Sequence, residues 1–206
     1  MKKFKMKSQN EYIGDDSFIK LLEHYHCPVP LYVVKMRFIG AICSPNLELR
    51  PSDVISSFWP QGHEPRLETK QEAELFFKFF MGLWDELFEK VKLNKIHLDV
   101  IKANSRDALK MLCSRRYEEI ENGYVEGFWG GKEDLKLPAF VAEIIDSLSD
   151  LANLYLNIMQ KMDATENLEE IESAIHHTDR MVEKAMDFII ENSVLPRIDD
   201  LKRAMN

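Results

Sequence analysis

Five consecutive residues, Glu23-His24-Tyr25-His26-Cys27, carry four side chains able to ligate a metal. A carboxylate, two imidazoles and a thiol are the donors that divalent transition metals take. Their spacing works against a shared centre. His24 and His26 are two apart and project to different sides of a helix. Glu23 and His26 have the Glu-x-x-His spacing of di-iron bundles, which need two such pairs and two further glutamates; the sequence has this one pair. Glu23, His24 and His26 stand as metal candidates for a metal-dependent enzyme, with His176 or His177 as further donors brought in by folding. The plainer reading is a polar helix end whose histidines sit at the favourable negative pole.

His176-His177 falls in a long helical pattern, with Glu172 one turn earlier as an ion-pair partner for a protonated His176 and with His177 beside the apolar seam. His63-Glu64 and His97-Leu98-Asp99 sit in loops without visible partners. Cys113-Ser114-Arg115-Arg116 sets cations beside a thiol, which would favour the thiolate; Cys113 also falls on an apolar stripe, the mark of a buried, inert thiol. Arg115-Arg116, set against Glu118, Glu119 and Glu121, reads as a mixed-charge surface. Neither Gly-x-Ser-x-Gly nor His-Glu-x-x-His occurs. Gly127-Phe128-Trp129-Gly130-Gly131-Lys132 fails as a phosphate loop, because one residue is missing before Gly-Lys and Glu133 replaces the Ser or Thr. Gly123 and Gly127, four apart, instead open one helix face to close approach by another helix.

The elements that must position these groups read as helices. Asp15 or Asp16 caps a helix bearing Phe18, Leu21, Leu22 and Tyr25, and Cys27-Pro28-Val29-Pro30 ends it. Leu31 to Cys43 is ambiguous: Tyr32-Val33-Val34 favours strand by propensity, but no convincing partner strand exists, so a buried helix is expected. Pro51 starts a short helix to Trp59. Thr69-Lys70-Gln71-Glu72 has capping-box spacing and opens the most apolar helix, with Leu75 and Phe79 off its main face. Ser105 caps a helix running to Gly130-Gly131. Pro138 lies in the first turn of the next helix. The last long helix starts near Thr165, and Leu168, Ile171, Ile175, Thr178, Val182, Ala185 and Ile189 form a heptad seam. Pro196 breaks it, leaving a short final turn.

The chain has 206 residues, 45% of them hydrophobic, and a net charge of −8. These figures allow one real core and disfavour broad binding to nucleic acid or anionic lipid. No apolar run is long enough to span a bilayer, and the basic start lacks the apolar stretch of a secretory signal. Three scattered cysteines suit reduced thiols in a cytoplasmic protein. The expectation is an all-α, single-domain bundle of six to seven helices. Residues 1–14 form a flexible basic segment, 15–131 a first block, and 138–206 a C-terminal antiparallel helix pair.

Phe38-Ile39-Gly40-Ala41-Ile42-Cys43-Ser44-Pro45, followed by Leu49-x-Pro51-Ser52-Asp53-Val54-Ile55, resembles the N-terminal signature of the YecA/YgfB-like bacterial proteins. Gly123-Tyr124-Val125-Glu126-Gly127-Phe128-Trp129-Gly130 is similar to that family's glycine- and aromatic-rich helix end. The resemblance covers about residues 31 to 131 and, more loosely, the C-terminal helices. It implies an all-α, self-associating fold without established enzymatic activity, with Gly40, Pro45, Pro51, Gly123, Gly127 and Phe128 as structural motif positions. Longer members end in a zinc-binding cysteine tail. Leu201 to Asn206 has no cysteine, so that role is not carried over.

The function expected is a non-enzymatic interaction or regulatory module, without cofactor and self-associating as a homodimer. Its surface is placed at Leu75 and Phe79 and at Ile175, Thr178 and Val182. The alternatives are a nucleic-acid-associated regulator using Arg115-Arg116 or the lysines at 2, 3, 5 and 7, and the metal-dependent enzyme above.

Overall fold

Pro30, in extended geometry, starts the helix around which the molecule is built. This is α2 (Leu31–Cys43), and ten of its thirteen residues are buried. A helix apolar on all sides can only be central. α1 (Asp15–His24), α3 (Pro51–Ser56) and α4 (Lys70–Lys92) pack around it. The strand propensity of Tyr32-Val33-Val34 is overridden because this burial rewards any large apolar side chain. The computed structural model describes residues 11–132, 135–165 and 167–204, and among them there is no strand. The proposed basic segment therefore falls mostly outside the described residues.

On its other side α2 meets one long rod. It starts at Ser105, whose Oγ accepts from the Ala108 amide at 3.2 Å. It runs through α5 (Arg106–Tyr117), a π-helical stretch (Glu118–Val125) and α6 (Glu126–Trp129). Gly130, at φ 56°, closes it in left-handed geometry. Here the family-like motif residues meet. A Cβ at Gly40 would lie 2.0 Å from the Tyr124 carbonyl oxygen, and one at Gly127 would lie 2.1 Å from that of Arg37. At Gly123 it would lie 2.7 Å from Met36 Cβ. The two helices thus cross backbone to backbone, as the spacing of the glycines predicts. Phe128 is buried beneath the crossing, Pro45 follows the C-cap of α2, and Pro51 is the first residue of α3.

α4 carries the aromatic half of the core. Phe76 and Phe80 pack with Phe18, Phe38, Phe58 and Trp59, and the Phe18–Phe80 rings stand edge to face at 5.0 Å. Thr69 Oγ1 accepts from the Glu72 amide at 3.1 Å. The return bond of the capping box is displaced by one residue: Glu72 Oε2 accepts from the Glu68 amide at 2.8 Å. The expected aspartate cap on α1 is corrected. Gly14 occupies that position, and Asp15 instead accepts from Lys35 Nζ and Tyr12 Oη, both at 2.6 Å.

The C-terminal pair is α7 (Ala139–Lys161) and α8 (Leu168–Ile189). α8 starts close to the expected position and is capped by Asn167, its Oδ1 accepting from the Glu169 amide at 3.0 Å. Pro138 is the N-cap of α7 rather than part of its first turn. Pro196 does not break the last rod. α8 widens into a π turn (Ile190–Val194) and continues as α9 (Leu195–Ala204). Asn192 Nδ2 donates to the Phe188 carbonyl and Arg197 Nε to that of Ser193, both at 2.9 Å, satisfying carbonyls in the altered turn. Arg197 also donates to the carbonyls of Cys43 and Ser44, at 2.8 and 2.7 Å, clamping the end of α2. Both blocks share one hydrophobic core. With the continuous rods counted once, the described residues form seven helices.

Candidate functional site

Glu23, His24 and His26 lie exposed at the C-terminal end of α1. Among the described residues no three His, Cys, Asp or Glu side chains are grouped to hold a metal ion. His24 packs its ring on Tyr25, and the Cys27 thiol faces the carbonyls of Val29 and Phe58 at 3.6 and 3.8 Å, its pKa raised by burial. His176 and His177 sit exposed on α8; His176 approaches Glu172 at 3.6 Å and Asp179 at 3.9 Å.

The mixed-charge surface expected at Arg115-Arg116 is corrected: Arg116 is 2% exposed. Its Nη1 donates to Glu119 Oε2 at 2.6 Å, its Nε to Asp179 Oδ1 at 3.0 Å and its Nη2 to the Asp99 carbonyl at 2.6 Å. Arg115 extends the chain, bonding Glu119 Oε1 at 2.7 Å and Asp99 Oδ2 at 2.8 Å, and stacks over Tyr32, whose hydroxyl donates to Glu118. Tyr155 donates to Asp179 Oδ1 at 2.7 Å. The network ties α5, the π stretch, the 98–101 loop, α7 and α8 together. His97 and Asp99, read from sequence as unpartnered, belong to this region: His97 lies 3.8 Å from Glu183. The sequence does hold one clue, the Arg-x-x-Glu spacing of Arg116 and Glu119 on one helix face. Nothing in it links Arg116 to Asp179, 63 positions away.

A cleft of about 600 Å³ opens over this network between α8 and the 98–101 loop. Arg116, Asp179 and His176 are among the residues that line it, and Tyr155 bonds to Asp179. Burial lowers the Arg116 pKa, but Glu119 and Asp179 outweigh it and the net shift is upward. Burial, and then Asp179, push Tyr155 up. Burial pushes the Cys113 thiol, on the same helix, up to about 12. Arg37 is a second buried cation of this kind, bonded to the Asn122 and Ser57 carbonyls and to Glu126; burial lowers its pKa.

Compared with protein-family models, curated proteins and solved structures, the chain matches none. The solvent-facing apolar side chains are the remaining distinctive surface. Leu75 is 50% exposed, whereas Phe79 is half-buried against the core. Ile175, Thr178 and Val182 are corrected outright. They are buried, because the heptad seam finds its partner in the chain's own α7. The apolar residues that face water on this pair lie beside that seam. They are Phe140 (39%), Leu154 (38%), Met181 (42%) and Phe188 (42%). The Phe140 and Phe188 rings meet edge to face at 6.0 Å across the groove between the helices. The legible signal was a second stripe, Met181 and Phe188 seven residues apart, next to the heptad positions.

Proposed function

We propose that this chain is a non-catalytic, cytoplasmic protein-interaction module of the regulatory kind suggested by its resemblance to the YecA/YgfB-like proteins. The observation that carries the reading is the row of half-exposed apolar side chains on the outer side of the α7–α8 pair. Large apolar groups aligned on one face gain roughly 25 cal/mol per Å² when a partner covers them. Gly40 lies against the Tyr124 carbonyl and Gly127 against that of Arg37, so the two blocks that carry the resemblance pack on each other. The nucleic-acid reading loses its arginines: Arg116 is buried, and Arg115 is bound to Asp99 and Glu119. The lysines at 2, 3, 5 and 7 lie outside the described residues.

The test is a photo-crosslinking amino acid placed at Met181 in the native cell, with Leu47, an exposed loop residue, as control. A discrete protein adduct from position 181 and none from 47 is expected. Equal yields at the two positions, or no adduct at 181, would refute the reading.

A further inference from the structure

α7 and α8 run antiparallel in a register fixed by two contacts. Phe140 meets Phe188 at one end, and Tyr155 donates to Asp179 further along at 2.7 Å. On the outer side, Phe140, Ile144 and Leu154 share one face of α7 by helical spacing, beside Met181 and Phe188 of α8. This apolar strip has a charged edge on each side. The α7 edge presents Glu143, Asp150 and Lys161, all exposed. The α8 edge presents, at the corresponding heights, Lys184, His177 and Glu170, also exposed. The two edges are opposite in sign at each end, with an acceptor facing an imidazole between.

We infer that a second copy of this chain seats on this face, related by a two-fold axis parallel to the helices. The inference rests on the interaction-module reading and names its partner. Such an axis lays strip on strip and turns each edge onto the opposite edge of the second copy. Glu143 then meets Lys184, Asp150 meets His177, and Lys161 meets Glu170. Each α7 lies along the second copy's α8, running antiparallel, and the four helices form a bundle. A two-fold across the strip would also pair opposite signs at the ends, Glu143 with Lys161 and Lys184 with Glu170, but would set Asp150 near Asp150 at the middle, and under it the double swap of Glu143 and Lys184 would not restore pairing.

The experiment is sedimentation velocity on the full chain across a concentration series to about 100 µM, with circular dichroism confirming the fold of each variant. The wild type is expected at twice its 24.1 kDa mass. Met181→Asp and Phe188→Asp, made separately so that one folded variant suffices, should each weaken the dimer by about thirtyfold or more. Lys184→Glu and Glu143→Lys should each weaken it by about tenfold, and the double swap should return it to near wild type. A wild type that stays monomeric overturns the inference, while an adduct to a different protein at Met181 would leave the module reading intact. A dimer that survives both aspartate variants but is lost in Leu75→Asp moves self-association to α4 and overturns this assignment. Single swaps that weaken the dimer without rescue by the double swap overturn the axis.

Discussion

Gly40 and Gly127 act as one device. Each helix backbone occupies the space that the other's first side-chain carbon would need, at 2.0 and 2.1 Å. Gly127→Ala must therefore separate α2 from α6 rather than merely displace a side chain. The expected loss is about 3 kcal/mol, the upper end of the overpacking range. A thermal melt matching wild type would refute the close crossing. Arg116 is the second residue on which the fold turns. Arg116→Met leaves buried Glu119 with Arg115 as its remaining cation and partly buried Asp179 with the Tyr155 hydroxyl, and should cost about 3 kcal/mol, the lower end for a broken buried pair. Lys70→Met, which removes an exposed pair with Glu74, should stay within about 0.5 kcal/mol. Urea unfolding midpoints measure both, and comparable losses for the two variants would mean that the buried network contributes nothing special.

Elements were more legible than their joints. Thr69 and Ser105 cap where the side-chain chemistry places them, and α2 follows from the lack of any strand to pair with it. What the pattern hid were the changes of helical pitch. Pro196 looks like a terminator because a proline deprives an α-helix of a hydrogen bond. The preceding π turn changes which carbonyls need donors, and Asn192 and Arg197 supply them. No local propensity announces that compensation. The heptad seam misled for a different reason. Its period is real, but period shows only that a stripe is covered, and the cover is α7 of the same chain. The burial of Arg116 was not legible because its partners come from three separate elements. At this scale the cap of α8 is directly testable. Asn167→Ala removes the acceptor for the Glu169 amide and should lower stability by about 1 kcal/mol. A urea midpoint shift near zero would show that water satisfies that end of the helix equally well.

For the whole molecule, the placement of the thiols and of one phenol predicts the alkaline limit of stability. Cys43 and Cys113 are both buried, and burial raises each from 9.0 to about 12. Tyr124, beside Cys43, is also driven up, first by burial and then by Cys43. The direction follows from proton counting. Above about pH 9 the unfolded chain releases these thiol protons, while the native chain retains them until about pH 12. The unfolded state then binds fewer protons, so the stability present below pH 9 falls as pH rises through that window. Cys43 sits at the end of α2, Tyr124 on the π stretch and Cys113 on α5, all buried in the one core, so their ionisation opposes the fold from within rather than fraying an edge. Urea midpoints are therefore expected to decline steadily from about pH 9 toward about pH 11. Lysines and exposed tyrosines titrate over the same range, so the decisive comparison is with Cys113→Ala. That variant is less stable at neutral pH, because a buried side chain has been shortened, but its decline with pH should be shallower than that of the wild type. Parallel pH slopes for the two proteins would show that the Cys113 thiol is not retained by burial, and would remove it as a cause of alkaline unfolding.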